Sequence, residues 1–390
     1  MTQKKNNYFC IFGGGGIRGI TYIGAIKALN ELGINIDGCA GSSVGAVFAA
    51  LYQFGFTLDE IKEIFFQTNF SIFKDINIDF FKVFSITKGD HFLSWIREIL
   101  EKKFYGEKYK EGLNPPITFK DLDKELIILS INLTDSTYKE FSKYTTPDTE
   151  IALAIRASVS IPGFFKPVEI EKDYYVDGDL IKSWPLWRLS KNLCPEDRRI
   201  LEFRLEDKQK NKKITTGISY INAVYNAITG FATDFIMDLY SMRDKFDYIR
   251  INSKNVAVLD FMIKEDKREE LVNMGYEATK KYFEEEYPKK RAVVDNCYKK
   301  TTIYLKDIQN LMKSQKYELT KSKIYELLAY LCENKLYIDL SIYNSIINFK
   351  NLYFENFKQG QILFVKSQKL QNKKLIEASI DKILKDISYQ

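Results

Sequence analysis

Gly41-Ser42-Ser43-Val44-Gly45 fits the pattern G-x-S-x-G, in which a serine is held on a sharp strand-to-helix turn and aimed at a substrate carbonyl. Five residues with three fixed are a weak signal alone, and a plain Ser/Gly turn is the competing reading. The flanks favour the elbow. Ile34-Asn35-Ile36-Asp37-Gly38-Cys39-Ala40 reads as a short strand entering the turn, and Ala46 to Phe54 reads as a buried helix leaving it. Gly41 and Gly45 have a steric reason, because a side chain at either place would collide across the tight turn.

Upstream, Tyr8-Phe9-Cys10-Ile11-Phe12 is an apolar run of strand character, followed by Gly13-Gly14-Gly15-Gly16-Ile17-Arg18-Gly19. Ile20, Ile23, Ala25, Ile26 and Leu29 then keep mostly helical spacing, and Gly33 is placed to cap that helix. A glycine loop feeding a helix N-terminus presents backbone N–H groups beside the positive end of the helix dipole. Two anions suit it. One is a pyrophosphate, since Gly14, Gly16 and Gly19 satisfy G-x-G-x-x-G and Asp37 lies 18 residues past Gly19, where a ribose-binding acid is expected. The other is the oxyanion of acyl transfer. The elbow favours the second, because a dinucleotide site does not require a G-x-S-x-G after its second strand.

A serine nucleophile needs a base, and the chain has one histidine. His91 follows Gly89 and Asp90, with Asp90 placed as the N-cap of a helix through Trp95, Ile96, Ile99 and Leu100, so it reads as a first-turn residue. A carboxylate is the other option, since a partly desolvated one can accept a serine proton. Asp177 is the best placed: Tyr174-Tyr175-Val176 is strand-like and Asp177-Gly178 is a turn dipeptide at its end. Taken alone, Asp-Gly signals only a turn.

Together these residues resemble the patatin-like phospholipase family, whose marks are a G-G-G-x-R-G loop, a G-x-S-x-G elbow and a later Asp-Gly-Gly or Asp-Gly-Ala. The chain shows Gly14-Gly15-Gly16-Ile17-Arg18-Gly19, the elbow at 41–45, and Asp177-Gly178-Asp179. Ala157 to Pro167, Leu259-Asp260-Phe261 and Gly275-Tyr276-Glu277-Ala278 also look like family segments, so the resemblance spans residues 7–288. It implies a three-layer α/β/α core with a mostly parallel central sheet and a Ser-Asp dyad. Ser43 then maps to the nucleophile, Asp177 to the proton acceptor, and the amides of Gly14, Gly15 and Gly16 to the oxyanion hole. Arg18 and Gly19 support the loop, and Gly41 and Gly45 shape the elbow. The implied activity is hydrolysis of carboxyl esters in phospholipids or other acyl-ester lipids, of phospholipase A or lysophospholipase type, with no metal or cofactor. A non-catalytic lipid-binding or interaction module of the same fold, and less so a dinucleotide-binding oxidoreductase, stay as alternatives.

The chain departs from the family at two places: Asp179 stands where Gly or Ala is usual, and Ser183 stands where Asn usually precedes the next proline. If Asp179 faces the site, like-charge repulsion raises the pKa of the dyad and shifts activity to higher pH. The other reading is that it faces solvent or pairs with a lysine such as Lys182.

Residues 65–84 hold seven phenylalanines interleaved with Lys74, Asp75, Asp79 and Lys82, suited to a subdomain core, to an acyl channel or to a bilayer interface. Of the 390 residues 45% are apolar, enough for one catalytic domain over 7–288 and a helical extension over 289–390. Pro288 and Lys289-Lys290-Arg291 read as a solvated boundary. Beyond it, Ile324, Leu327, Leu328 and Leu331 mark an amphipathic helix behind Thr320, and Ile376, Ile380, Ile383, Leu384 and Ile387 mark another. These stripes suit a packed core and also allow an oligomer surface, a lid or a regulatory element.

Five cysteines without CxxC spacing argue for reduced thiols and against a zinc site. The polar start runs straight into the first strand, so no signal peptide is expected, and Ala46 to Phe56 is too short to cross a membrane. A cytoplasmic protein peripheral at membranes is the expectation. The charge of +6 suits anionic lipid surfaces, and nucleic acid is not an expected partner.

Overall fold

A computed structural model describes residues 7–68, 85–180, 198–206, 243–253, 256, 263–356 and 366–388. The chain divides into two compact units, Met1–Asp238 with Phe246–Phe283, and Leu239–Lys245 with Glu284–Gln390. Most of the 65–84 insert, Cys194, the Lys182–Pro185 stretch and Leu259-Asp260-Phe261 lie outside the described residues.

In the first unit, the fully buried run Tyr8 to Phe12 forms the central strand β1 (Asn7–Phe12). Parallel neighbours β2 (Asn35–Gly41) and β9 (Arg198–Glu206) flank it, and β4 (Glu125–Asn132) and β10 (Phe246–Asn252) extend the parallel core. Near-continuous apolar strands are what a sheet covered on both faces requires. Beyond β4 the sheet turns antiparallel through β5 (Thr137–Ser142), β8 (Asp173–Asp177) and β7 (Val168–Ile170), giving eight strands among the described residues. A separate short pair joins β3 (Ser85–Thr87) to β6 (Gly163–Phe165). The architecture is therefore a mixed sheet flanked by helices, α/β in class.

Helices α1 (Thr21–Glu31), α2 (Val44–Gln53), α3 (Leu58–Gln67), α4 (Asp90–Tyr105), α5 (Ile151–Ser158) and α6 (Glu265–Lys281) belong to this unit. Gly33 ends α1 at φ +67°, with its N–H on Asn30 O and that of Ile34 on Leu29 O, the left-handed cap its position suggested. Two further glycines set a helix crossing. A Cβ on Gly24 would lie 1.8 Å from Val272 O, and one on Gly275 would lie 1.8 Å from Thr21 O, so α1 and α6 meet backbone to backbone. Behind β1, Phe12 packs on Phe48 at 4.9 Å and stacks on Phe203 at 5.6 Å, with Tyr22 against Phe48. Each such burial contributes roughly 1.5–3 kcal/mol.

The second unit holds α7 (Tyr287–Lys313), α8 (Tyr317–Glu333), α9 (Leu340–Asn356) and α10 (Lys366–Ser388) around its own core. Ile324, Leu327, Leu331, Ile376, Ile380 and Ile383 are all buried there, while Leu328, Leu384 and Ile387 are partly buried, so both stripes face inward. Two local expectations are corrected. Pro288 and the basic run after it lie in the first turns of α7, where proline lacks no needed donor, and Arg291 pairs with Asp244 and Asp295. Thr320 is not the start of its helix; it sits one turn inside α8 and donates to Lys316 O at 2.9 Å. Among the described residues, no helix is long and apolar enough to cross a membrane.

Candidate active site

β2 ends at Gly41 and α2 begins at Val44, leaving Ser42 and Ser43 to make the turn. Ser43 takes φ +53° and ψ −130°, a conformation that costs a non-glycine residue on the order of 1–3 kcal/mol. The turn closes because both glycines lack side chains: a Cβ on Gly41 would lie 2.1 Å from Gly45 O, and one on Gly45 would lie 2.0 Å from Phe12 O. The strain is held in place by hydrogen bonds. Ser42 N–H donates to Phe12 O at 3.1 Å, Gly45 N–H to Ser42 O at 2.9 Å, and Ser43 N–H to the hydroxyl of Ser158 at 3.0 Å. Ser158 is fully buried and its hydroxyl donates in turn to Leu129 O at 2.6 Å, so it is a strut between β4 and the elbow.

Asp177 reaches the same place from another direction. β8 runs opposite to β4 and places Asp177 beside Ser130, two residues past Ile128, which pairs with Gly41. Ser130 fixes the strand end by donating to Val176 O at 2.6 Å, and Asp177 N–H donates to Ser160 O at 3.0 Å. Thus residues 158–160, at the end of α5, brace both Ser43 and Asp177. Arg156 stiffens them further: it is buried and donates to Ser160 Oγ, Gly89 O, Lys88 O and Lys166 O at 2.6–3.1 Å.

The Asp177 carboxyl is 4% exposed. Burial pushes its pKa up to about 7, and the charge of Asp179 adds to the rise; hydrogen bonds from Asp179 N–H, at 2.7 Å, and from the Ser43 side chain oppose it. Serine and carboxyl therefore face each other. A carboxylate with that pKa is poised to exchange a proton near neutral pH.

The glycine loop follows β1. Gly13 N–H donates to Phe203 O at 3.1 Å, and Gly13 O accepts from Tyr22 Oη at 2.7 Å. A 3-10 turn, Gly16–Ile20, separates the loop from α1, with Gly16 at φ +57°. The amides of Gly14 and Gly15 have no hydrogen-bond partner among the described residues. Arg18 is buried, its side chain donating to Gly15 O at 3.2 Å and to Ser253 Oγ at 3.4 Å. Gly19 lies against Val44, where a Cβ would come within 2.5 Å of the valine side chain, so the loop packs on the start of α2.

Asp179 neither faces solvent as a free carboxylate nor turns away from the site. It pairs with Arg204 of β9 at 2.5 Å and accepts from Ser42 Oγ at 3.2 Å. Lys182, the partner considered from sequence, lies outside the described residues.

Two sequence candidates stand elsewhere. His91 is exposed at the second position of α4, whose N-cap is Gly89 at φ +80°, not Asp90. Asp37 stands near the amino end of β2, where the register with β1 slips, while the glycine loop lies past the carboxyl end of β1. There Asp37 pairs with Arg198 at 2.8 Å, and Arg198 also holds Glu125 at 2.8 Å. A ribose-binding acid belongs at the same end of the sheet as the phosphate loop, so Asp37 does not fit that role. Sequence reasoning missed the roles of Ser158, Arg156 and Arg204, each of which has at least one partner far along the chain.

A mixed sheet whose parallel core carries a strained serine past the end of one strand, with a buried carboxyl facing it, is an α/β strand-turn-helix arrangement of the elbow type. Residues 10–188 match the family model described as patatin-like phospholipase. The uncharacterized protein YqhO of Bacillus subtilis is 25% identical over 311 residues, covering 70% of this chain and 97% of its own. "Probable lipid hydrolase 463L" of Invertebrate iridescent virus 6 is 27% identical over 180 residues, 45% of this chain and 61% of its own. Among solved structures, VipD from Legionella pneumophila superposes with a TM-score of 0.55 at 14% identity over 98% of this chain and 92% of its own, a likeness of fold.

Proposed function

We propose that this protein is a lipid acyl hydrolase that cleaves carboxyl esters of phospholipids or lysophospholipids through a Ser43 acyl-enzyme. The observation that carries the reading is the strained Ser43 facing a buried Asp177 whose pKa is raised to about 7. The family match over residues 10–188 and a lipid hydrolase among the relatives support it.

Asp177 takes the hydroxyl proton as Ser43 Oγ attacks the ester carbonyl, forming a tetrahedral oxyanion. The amides of Gly14, Gly15 and Gly16 and the N-terminus of α2 stabilise that charge; each preset donor of this kind is worth on the order of 3 kcal/mol. Collapse breaks the ester C–O bond, and the leaving lipid alcohol takes the proton from Asp177. Water then attacks the acyl-enzyme, Asp177 again taking the proton, and fatty acid and free Ser43 result. The substrate sits at a membrane surface, which the protein visits peripherally. Neutral acyl-ester lipids are the nearest alternative substrates.

A fluorophosphonate probe tests the nucleophile: it should label the full-length chain and fail on Ser43→Ala. Fatty acid release from phospholipid vesicles should be lost in Asp177→Asn while the protein remains folded. Labelling that survives Ser43→Ala, or turnover that survives Asp177→Asn, overturns the scheme. A folded protein that is never labelled points to a lipid-binding module instead.

A further inference from the structure

The chain replaces the usual small residue after Asp-Gly by Asp179, and that residue touches every part of the site. Its N–H donates to Asp177 Oδ1 at 2.7 Å. Its carboxylate accepts from Ser42, the residue before the proposed nucleophile. Its side chain also lies against the glycine loop, since a Cβ on Gly14 would fall 2.6 Å from Asp179 Cβ. A carboxylate at this place needs a counter-charge, and the sequence supplies one on a strand 25 residues on. Arg204 Nη1 holds Asp179 Oδ1, and the same guanidinium passes beneath the loop, 2.7 Å from where a Cβ on Gly13 would stand.

Arg204 is itself buried and has Glu202 on its other side, Nε to Oε1 at 3.2 Å. Glu202 is fully buried, and neither of its oxygens has an aligned hydrogen bond among the described residues. Two carboxyls thus share one cation under the loop. Leaving either one buried without that cation is strongly destabilising, which is how such clusters hold a fixed geometry.

Resting on the Ser43–Asp177 reading above, we propose that Asp179, clamped by Arg204, is a positioning residue of the reaction: it joins glycine loop, elbow and base, and sets the pH at which Asp177 accepts a proton. The groups facing this cluster are Asp177 from β8, Glu202 and Arg204 from β9, Tyr248 from β10 and Tyr22 from α1. Both tyrosines are pushed upward by burial and stay neutral across the working range, and Arg204 stays charged. Glu202 titrates nearby, burial raising it to about 7 against the pull of Arg204. Asp179 is thus the neighbouring carboxylate whose removal acts on Asp177, while its ion pair with Arg204 limits how far it is felt.

The test is the rate of fluorophosphonate labelling of Ser43 in the full-length chain between pH 5 and 9, each variant normalised to its own alkaline plateau. Asp179→Asn removes the like charge and leaves Arg204 in place, so its acidic limb should move down by about one unit, a roughly fivefold gain over wild type at pH 6. Arg204→Gln should move the limb up, and Arg204→Lys should restore part of the shift. A purely structural role would lower the plateau and leave the limb where it is. An Asp179→Asn limb that superimposes on wild type overturns the proposal. If Asp179→Asn does not fold, Asp179→Gly, the small residue usual in the family, carries the same measurement. A wild type that is not labelled at Ser43 overturns the acyl-hydrolase reading and this one with it, whereas a labelled wild type with unmoved limbs overturns only this one.

Discussion

Removing one hydroxyl, in Ser158→Ala, tests whether the elbow is held from behind. Ser158 accepts from Ser43 N–H at 3.0 Å and donates to Leu129 O at 2.6 Å, fully buried. Alanine removes both bonds, each worth about 1 kcal/mol net, and leaves the Ser43 amide buried without its partner, which costs about 1–3 kcal/mol. A loss of about 2 kcal/mol is expected, or about 4–8 °C in the midpoint for a unit of this size. The three tryptophans, Trp95, Trp184 and Trp187, all precede residue 239, so tryptophan fluorescence in urea follows the first unit rather than the helical one. The same bond holds Ser43 at φ +53°, and a displacement of this proposed nucleophile by 1 Å would cost up to about 100-fold in rate. Labelling by a fluorophosphonate should therefore slow by about 10- to 100-fold at saturating pH. A stability within about 0.5 kcal/mol of wild type, together with labelling within about twofold, would refute the strut.

Three further outcomes are expected. With Asp177 as the proposed base and its pKa raised to about 7, kcat/KM should fall as pH drops through 7. Stability runs the other way: the folded pKa lies above the unfolded value of about 3.9, so the contribution of Asp177 is complete below about pH 4 and is lost as pH rises through 7. Urea titrations of wild type and Asp177→Asn at pH 5 and 8 should differ in that sense. His91→Ala should keep the wild-type labelling rate, because the residue is exposed on α4; a loss beyond about tenfold would return the imidazole to the mechanism. Gly24→Ala should destabilise the first unit by more than about 2 kcal/mol, read from urea midpoints, since its Cβ would meet Val272 O at 1.8 Å.

What the sequence announced was local. The elbow, the Gly33 cap and the inward faces of α8 and α10 rest on short-range rules of sterics and periodicity, and they stand where those rules put them. Asp90 and Thr320 are good cap types and point to helix starts there, yet Gly89 and Lys316 take the cap positions of α4 and α8. The braces were illegible for another reason. Ser158 lies 115 residues from Ser43, and Arg204 lies 25 from Asp179, so no window of sequence holds both partners. Asp179 itself was visible as a departure, but its direction depended on a guanidinium that only the sheet brings near.

The crossing of α1 with α6 shows that the folded unit runs well past the residues that match the family model. The family match ends at residue 188, yet β9, which flanks β1, starts at Arg198, and Gly275 seats α6 against α1. A fragment cut where the family match ends would give the central strand an open edge and strip α1 of its cover. Such a fragment would carry Ser43 and Asp177 without the rest of their folded unit, which extends to Phe283.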